Sequence, residues 1–211
     1  MAKSEKLAIE PVQDSQPSRD KTTRETILEA AARLIVEEGF VACTMRSLSD
    51  RVNIKAGSLY YHFASKDEIV MEIMNLGVAM LMERVISAVS ELPDGTSFDE
   101  RIRAAIRAHI ECKVDQELPF MQVYEHLPPV TKRRSRAVRQ KYANFWIEMM
   151  EYGIQCGEIR RDLDVPTFVP YFLGGLNRVP EWFHPTFMKT EQVTETICST
   201  VLTGIWTPKR V

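Results

Sequence analysis

The sequence predicts an all-α protein. Apolar residues recur at helical spacing in nearly every segment after residue 22, and no stretch alternates for long enough to suggest a sheet. Ser/Thr-x-x-Glu capping boxes begin at Thr22, Ser65 and Ser97, and each marks the start of a helix. We therefore expect a flexible tail over residues 1–20, a three-helix head over residues 21–67 and a helical body over residues 68–211.

Composition limits the class of protein. The 211 residues are 45% hydrophobic and 27% charged, which is typical of a globular protein with a sizeable core. The formal net charge of −2 argues against a protein that coats nucleic acid indiscriminately, so any DNA contact has to come from a local patch. No apolar run reaches the roughly 18 residues of a membrane span, and no signal peptide is visible. The four scattered cysteines form no CxxC pair, which suits a reducing, cytoplasmic location.

Three helices are predicted in the head. The first covers residues 25–40 and carries an apolar stripe at helical spacing. Thr44 is a good N-cap for the second helix, residues 45–51, because its hydroxyl can accept a hydrogen bond from a free backbone N–H. Asn53 tolerates the left-handed conformation that reverses the chain after a helix. The third helix is about two turns long and begins at residue 55 or 56.

Basic residues at the junction between the tail and the first helix have two interpretations. Arg19, Lys21 and Arg24 could reach phosphates or a minor groove, as basic arms do. The alternative is a solvated, charged start of the first helix. The sequence does not decide between the two.

Six further helices are predicted in the body. The first, over residues 66–92, would join the head to the body and ends at a Pro-Asp-Gly turn. The others are expected over residues 98–115, 118–126, 132–155, 166–183 and 191–206.

Residues 44–67, TMRSLSDRVNIKAGSLYYHFASKD, form the most specific segment, because two short helices around a tight turn are the layout of a DNA-reading helix-turn-helix. This segment resembles the helix-turn-helix of the tetracycline-repressor (TetR) family of transcriptional regulators, and residues 25–40 resemble the first helix of the same domain. The matching positions are Thr44, Arg46, Leu48, Val52, Gly57, Ser58, Leu59, Tyr60, His62, Phe63 and residues 66–68. The chain departs from the family's usual Gly, Ser and Lys at Asn53, Lys55 and Ala56, and the fold is expected to tolerate these changes.

The resemblance and the chemistry of the side chains together imply roles within the head. Contacts to phosphates, which set register and affinity, are expected from Thr44, Tyr61, His62 and Lys66. Base edges are expected to be reached by Arg46, Lys55, Ser58 and Tyr60, while Gly57 lets the helix start approach the DNA backbone closely. One of the two neighbouring tyrosine rings is expected to pack beneath the helix as part of the core.

The resemblance also implies a homodimer. In the TetR-type fold the last two helices pack against their copies in a second subunit, and Gly174 and Gly175 would permit a close approach there. A dimer also places two recognition helices about one DNA turn (~34 Å) apart. The alternative is a single monomeric core that uses the same apolar stripes.

Two further segments, residues 157–164 and 172–185, loosely resemble the ligand domain of family members that sense acyl-coenzyme A thioesters. Such an effector would need an apolar tunnel and a cationic group for its phosphates. The implied residues are Met121, Tyr124, Phe145, Trp146, Met149 and Phe172 in the tunnel, Trp182 near its mouth and Arg178 at an anionic group. For each apolar residue taken singly, ordinary core packing is the competing interpretation.

Two other groups of residues have chemical potential. His109 and Cys112 lie three residues apart, as metal ligands can, but burial is favoured because structural zinc sites need four ligands. No metal is therefore expected. The run Lys132, Arg133, Arg134, Arg136, Arg139 and Lys141 has three interpretations, namely a solvated helix face, a second DNA-facing patch or a site that attracts an anionic ligand.

The sequence as a whole predicts a homodimeric transcriptional regulator, expected to be a repressor, that binds a palindromic operator and is released by a small hydrophobic or acyl-coenzyme A effector. An effector of another kind, such as a drug-like or aromatic compound, and a ligand-independent DNA-binding protein are the alternatives. We expect no enzyme activity, because the sequence offers no nucleophile–base pairing, phosphate loop or metal set. Double-stranded DNA is the expected partner, with no membrane involved and no cofactor besides the effector.

Overall fold

A computed structural model describes residues 23–115 and 119–205, apart from the side chain of residue 138. These residues form eleven α-helices and one 3-10 turn and contain no strand, so the all-α prediction is confirmed. The elements are α1 (Thr23–Glu38), α2 (Met45–Val52), α3 (Ala56–His62), α4 (Lys66–Ser90), α5 (Phe98–Val114), α6 (Pro119–Gln122), the 3-10 turn (Val123–His126), α7 (Pro129–Arg134), α8 (Arg136–Gln155), α9 (Val165–Asn177), α10 (Val179–Trp182) and α11 (Thr190–Ile205). The predicted tail, Arg19, Lys21, Thr22 and the end of the last predicted helix at Trp206 lie outside the described residues.

The helix starts follow local capping chemistry. At Ser97 the predicted capping box is complete, because Glu100 N donates to the serine hydroxyl (3.3 Å) and Ser97 N donates to the glutamate (3.2 Å). At Ser65 the hydroxyl caps Glu68 N (3.2 Å), but the Glu68 carboxylate accepts from Ala64 N (2.7 Å) instead of from the cap residue.

The turn between α2 and α3 has the predicted conformation. The Thr44 hydroxyl accepts a hydrogen bond from Ser47 N (3.0 Å) and so caps α2, and the Ser47 hydroxyl accepts one from Thr44 N (2.8 Å). Asn53 has a φ of 55°, in the left-handed region, as its place after α2 predicted. The sequence pattern did not reveal the reciprocal bond, because serine stands where a capping box usually has glutamate or glutamine.

Three predicted body helices are divided in the structure. The 132–155 prediction is wrong at its start, since Ser135 separates α7 from α8 and its hydroxyl bonds the Lys132 carbonyl (2.9 Å), a local bond that competes with the helix. The 166–183 prediction is interrupted at Arg178, because Pro180 has no N–H to continue the helix. The 118–126 prediction corresponds to α6 and the 3-10 turn.

Two hydrophobic clusters organise the molecule. The head cluster is built around Ile27, Ile35, Leu48, Leu59 and Phe63, and the body cluster around residues that include Ile102, Ile106, Trp146 and Met150. Their side chains are almost fully buried. The fold is therefore held by two separate apolar centres.

Two elements belong to both clusters. Helix α4, 25 residues and about 37 Å long, contributes Ile69 and Ile73 to the head cluster and Leu81 and Val85 to the body cluster. The α6–3-10 segment also crosses, because Met121 packs in the body cluster while Val123 and Leu127 pack in the head cluster. The predicted domain boundary at residue 67 stays a prediction. Helix α4 and the α6–3-10 segment connect the head cluster to the body cluster. Within the described residues, no helix combines the length and apolarity needed to cross a bilayer.

Candidate nucleic-acid interface and ligand site

Helix α3 is held to the head by one face only. Its Leu59 is fully buried, and the following Phe63 is 1% exposed, so this pair fixes which side of the helix faces inward. Tyr60 and Tyr61 are consequently turned outward, with 55% and 87% of their surfaces exposed. The expectation that one tyrosine would be mainly core was wrong, because Leu59 and Phe63 already fill the space beneath the helix.

The other side chains predicted on this surface are also turned to solvent. Lys55, Gly57 and Ser58 are exposed at the start of α3, and Arg46 is exposed on α2. Among the described residues, neither Arg46 nor Lys55 forms an ion pair. The helix start carries no side-chain cap, so the exposed backbone N–H groups of α3 face the same solvent region as these side chains.

Two of the predicted phosphate-contacting residues have partners within the head. The Thr44 hydroxyl caps α2, and the His62 ring lies edge-on to the Tyr61 ring with centroids 5.4 Å apart. The His62 carbonyl accepts a hydrogen bond from Arg24 (2.6 Å). These contacts fix the side chains in place without burying them.

Lys66 has a different environment from the one that a phosphate contact suggests. Its ammonium donates to the Phe40 carbonyl and lies 3.6 Å from the centre of the Phe40 ring. Burial lowers the pKa of the Lys66 ammonium. The side chain therefore ties the start of α4 to the segment that follows α1, and its ammonium is engaged within the head.

Arg24 lies in the first turn of α1, where its side chain is 41% exposed but is held by partners and is not a free arm. Its guanidinium pairs with both carboxylate oxygens of Glu72, at 3.0 Å for the Nε–Oε1 bond, and lies 4.1 Å from the centre of the Phe63 ring. With the bond to the His62 carbonyl, it joins α1, the end of α3 and α4. This bracing holds the orientation of α3 relative to the long helix.

The predicted effector residues are only partly brought together. Trp146 is fully buried, and its ring centre lies 5.1 Å from that of Phe172 and 5.9 Å from that of Phe145. Met121 and Met149 also pack in this body cluster. Tyr124 does not, because it packs on the head cluster, where the charged groups of Lys132 and Arg139 lie 4.8 and 4.9 Å from the centre of its ring.

The two residues predicted at the mouth lie at the surface. The Arg178 side chain is 71% exposed and pairs with Glu181 at 3.0 Å. Trp182 is 42% exposed. Arg178 lies between α9 and α10, and Trp182 ends α10. Because Pro180 interrupts the helix here, it determines where both side chains reach the surface.

A buried polar group lies beside the aromatic side chains and was not predicted as part of the site. His109 Nδ1 is 2.8 Å from the Tyr142 hydroxyl, and the His109 and Trp146 ring centres lie 6.4 Å apart. Burial, reinforced by the charge of Lys113, lowers the pKa of His109 to about 3, so the ring is neutral near pH 7. His109 Nε2 and Trp146 Nε1 have no hydrogen-bond partner among the described residues.

Lys113 is the second buried polar residue of this region. Its ammonium donates to the Met121 carbonyl (3.0 Å), and burial lowers its pKa. The signal that could have identified this group is a histidine and a lysine on the otherwise apolar face of α5. His109 and Cys112 belong to no cluster of three or more metal-ligating side chains within residues 23–115 and 119–205.

An open cleft of about 240 Å³ lies between α4 and α5. Its lining is mostly polar and consists of Arg84, Ser87, Ala88, Glu91, Ala108, Glu111, Cys112 and Asp115. None of the eight predicted effector residues lines it. In this structure those residues are either packed in the two clusters or displayed on the surface.

Comparison with known proteins agrees with both halves of this arrangement. Residues 27–73 match the family described as bacterial regulatory proteins, tetR family. Residues 95–205, more than half of the chain, match the family described as tetracyclin repressor-like, C-terminal domain. The chain belongs to the TetR family. It is accordingly a DNA-binding transcriptional regulator with a helix-turn-helix head and a helical second domain.

Individual relatives extend over nearly the whole chain. The HTH-type transcriptional repressor KstR2 of Mycolicibacterium smegmatis is 26% identical over 197 residues, which cover 90% of this chain and 93% of that protein. The structure of the ketosteroid transcriptional regulator KstR2 of Mycobacterium tuberculosis is 25% identical with a TM-score of 0.68, covering 90% of this chain and 98% of that one. AibR, solved in complex with isovaleryl coenzyme A and operator DNA, is 26% identical with a TM-score of 0.68. The match covers 88% of this chain and 98% of AibR.

Proposed function

We propose that this TetR-family chain is a repressor that binds a palindromic operator as a homodimer and is released by a small acyl thioester. The observation that carries the DNA half is helix α3, whose buried contact is Leu59 while its tyrosines and its N-terminal residues face solvent. A helix so held has one side free to enter a major groove. Relatives named as repressors, and AibR with its operator, support the same assignment.

The proposed DNA contacts divide by chemistry. Arg46 and Lys55 are exposed cations suited to guanine, and Ser58 and Tyr60 are less selective donors to base edges. Phosphates are assigned to Thr44, Tyr61 and His62, together with the backbone N–H of Lys66 at the start of α4. Gly57 leaves room for a close approach of the DNA backbone, because it has no side chain and a Cβ built there would meet no protein atom within 4 Å.

The proposed dimer interface is the outer face of α9 and α11. Tyr171 is 80% exposed there, and Gly174, Gly175 and Gly204 have no neighbouring atoms within 4 Å of a built Cβ. Small residues on the outside of a helix permit close packing of a second helix. A twofold arrangement through this face would present two α3 helices to successive major grooves.

The proposed effector site is the aromatic region of the body cluster, with Trp146 and Phe172 at its centre. An acyl chain requires apolar surroundings, and the unpaired His109 Nε2 and Trp146 Nε1 atoms suit a polar group such as a thioester carbonyl. Met121, Phe145 and Met149 would line the chain, whereas Arg178 and Trp182 would meet the coenzyme at the surface. Tyr124 would act from the head side of the α6 segment.

The proposed regulation is a shift between two populations of the dimer. A ligand that prefers the conformation with misaligned heads weakens operator binding by its difference in affinity for the two states. Helix α4 is suited to transmit this change, because it packs in both hydrophobic clusters. The α6–3-10 segment forms a second connection between the same clusters.

The first test is selection of bound fragments from sheared genomic DNA of the source organism at near-physiological salt. Enrichment of one or a few palindromic sites is expected, and Tyr60→Ala protein should enrich none of them while remaining dimeric. Diffuse, strongly salt-dependent binding by the unaltered protein would contradict the proposal of a specific operator reader. The genes beside an enriched site would then narrow the effector.

The effector is tested with the enriched operator. Fluorescence anisotropy of the labelled duplex is followed as short, branched and long acyl-coenzyme A thioesters are added, with coenzyme A alone as the control. Release by one class of thioester is expected, with a change in the tryptophan emission of the protein. Release by aromatic or drug-like compounds alone would favour the alternative effector class and overturn the thioester assignment.

We also propose that the protein acts by binding and not by catalysis, in the cytoplasm where its operator lies. The buried His109 is paired with a tyrosine hydroxyl, and no activated nucleophile lies beside it among the described residues. Intact recovery of the thioester after prolonged incubation is the expected result. Hydrolysis that disappears in His109→Gln would contradict the assignment.

A further inference from the structure

A basic segment at the junction of α7 and α8 carries the largest concentration of positive charge in the chain. Residues 126–147 contain six lysines and arginines and no aspartate or glutamate, in a protein whose formal net charge is −2. The charged residues are Lys132, Arg133, Arg134, Arg136, Arg139 and Lys141. The position of this segment in the fold determines what the charge can do.

After α5, the chain runs back beside α4 towards the DNA-reading head, and two contacts with α4 show this path. At α6 it lies beside Gly77, where a built Cβ would be 3.0 Å from the Phe120 carbonyl oxygen. At the end of α7, Arg134 Nη1 lies 2.6 Å from Asp67 Oδ2. Ten residues of α4 separate these two levels, which is about 15 Å along the helix axis.

The α7–α8 turn therefore lies level with the first residues of α4. Asp67 is the second residue of that helix, and α3 ends only four residues before α4 begins. The basic segment thus approaches the end of the head at which phosphate contacts are proposed. It belongs to the body in sequence but contacts the start of α4, four residues after the end of α3, through the Arg134–Asp67 pair.

The turn is rigidly built. Ser135 is fully buried at its centre, and Thr131 is 5% exposed. Lys132 and Arg139 are engaged with the Tyr124 ring, and Arg139 also donates to the Lys132 carbonyl (3.1 Å). These contacts hold the backbone, so the remaining cations are displayed from a fixed platform.

The remaining cations are available to a partner. Arg133 and Arg136 are exposed, and among the described residues neither forms an ion pair. Arg136 is also the first residue of α8, where the helix dipole disfavours a positive charge. Stability of the isolated chain therefore does not account for arginine at this position, whereas an anionic partner does.

We propose that the α7–α8 turn is a second DNA contact, in which Arg133 and Arg136 bind phosphates that flank the sequence read by α3. Arg134 positions the turn through Asp67 and neutralises a carboxylate that would otherwise face the DNA. DNA is favoured over an anionic effector as the partner, because the Arg134–Asp67 ion pair places the turn at the head end of α4. A coenzyme A thioester bound at Trp146 is long enough to reach Arg136, about 15 Å away along α8, so the test separates the two partners. The proposal rests on operator binding by the head and adds a contact to it.

The test compares two duplexes that carry the same enriched operator. The short duplex ends at the palindrome, and the long duplex extends it by about one helical turn, ~10 base pairs, of unrelated sequence on each side. Binding of the unaltered protein, Arg133→Gln/Arg136→Gln and Arg161→Gln/Lys189→Gln is measured by anisotropy over a range of salt concentrations. The last variant removes two exposed cations elsewhere, so it matches the change in net charge.

The Arg133→Gln/Arg136→Gln variant is expected to bind the long duplex at least about fivefold more weakly than the unaltered protein and to bind the short duplex normally. The slope of log K against log salt concentration falls in magnitude by about 0.9 for each phosphate contact that is lost. A dimer that loses two contacts in each subunit should therefore show a slope smaller by about 3 to 4, on the long duplex only. Normal binding of the short duplex shows that operator reading itself is intact.

Three results would overturn the proposal. One is equal weakening on both duplexes, and another is a loss no larger than that of the control variant. The third is unchanged DNA binding with weaker release by acyl thioesters, which would assign the segment to an anionic effector.

Discussion

The role of Lys66 is determined by its neighbours in the fold and differs from the role that its residue type and sequence position suggest. Sequence resemblance implies a phosphate contact, but the ammonium lies over the Phe40 ring and bonds the Phe40 carbonyl. Lys55, eleven residues earlier, is exposed at the start of α3. Two lysines of one short segment are therefore expected to respond differently to the same substitution.

Lys66→Ala should lower the free energy of unfolding by about 1–2 kcal/mol, because it removes a cation–π contact and a hydrogen bond to a carbonyl. Lys55→Ala should change stability by less than about 0.5 kcal/mol, since the side chain is exposed. Operator affinity should fall in both variants. Urea denaturation and anisotropy measure the two effects, and equal stability of the variants would disprove the bracing role of Lys66.

His109 carries a pH dependence that follows from its burial. Its pKa in the folded protein is about 3, below the ordinary value of about 6.5 in the unfolded chain. Because the unfolded chain takes up the proton first, the contribution to stability is complete above pH 6.5 and is lost as the pH falls towards 3. The groups that face His109 are Lys113, whose charge lowers its pKa further, the Asn177 side chain, which acts in the opposite direction, and the Tyr142 hydroxyl.

Between pH 7 and pH 5 the protein should therefore lose roughly 2 kcal/mol of stability through this residue. His109→Gln has no such proton to gain, so its loss over the same interval should be smaller by that amount. Chemical denaturation of both proteins at the two pH values provides the comparison. Parallel losses would show that His109 is not buried in its neutral form.

At the level of elements, two helical glycines with the same propensity have opposite surroundings. A Cβ built on Gly153 of α8 would lie 2.7 Å from Phe98 Cζ and 2.7 Å from Ile159 Cδ1, and both side chains are buried. A Cβ built on Gly57 of α3 would meet nothing within 4 Å. Alanine favours both helices by up to about 1 kcal/mol, so the difference comes from packing.

Gly153→Ala should lower the unfolding free energy by about 1 kcal/mol net, because overpacking exceeds the gain in helix propensity. Gly57→Ala should leave stability unchanged or slightly higher but weaken operator binding, since the new methyl group faces the proposed DNA backbone. Thermal unfolding and anisotropy separate the two variants. A stabilised Gly153→Ala protein would mean that α5 and α8 shift apart easily.

The elements that the sequence predicted well are those with strong local signals. The cap at Thr44, the left-handed Asn53 and the box at Ser97 depend on a few neighbouring residues, and all three are present. The break at Ser135 combines a local bond from its hydroxyl to the Lys132 carbonyl with burial of the serine, and the burial depends on distant residues that no local pattern reveals. The resemblance grouped Trp146, Phe172 and Tyr124 as lining one tunnel, but it could not separate the first two, which pack in the body cluster, from Tyr124, which packs with the head.

At the level of the whole molecule, the isolated chain leaves one apolar and glycine-containing surface uncovered. The outer face of α9 exposes Tyr171, Gly174 and Gly175, while Phe172 and Leu176 of the same helix are buried. The inward face is therefore already satisfied by the body cluster. The outward face is accounted for by a second copy, as the TetR-type fold implies.

Gly175→Arg tests this interface, because the side chain has open space within one chain and would meet a partner only in a dimer. The variant should fold normally, run at half the mass in sedimentation velocity, and bind the operator at least about tenfold more weakly, since each monomer holds one recognition helix. Asn144→Arg adds the same charge on exposed α8 and should stay dimeric. A dimeric Gly175→Arg protein with full operator affinity would place the twofold interface on another face, and the α9–α11 surface would need a different partner.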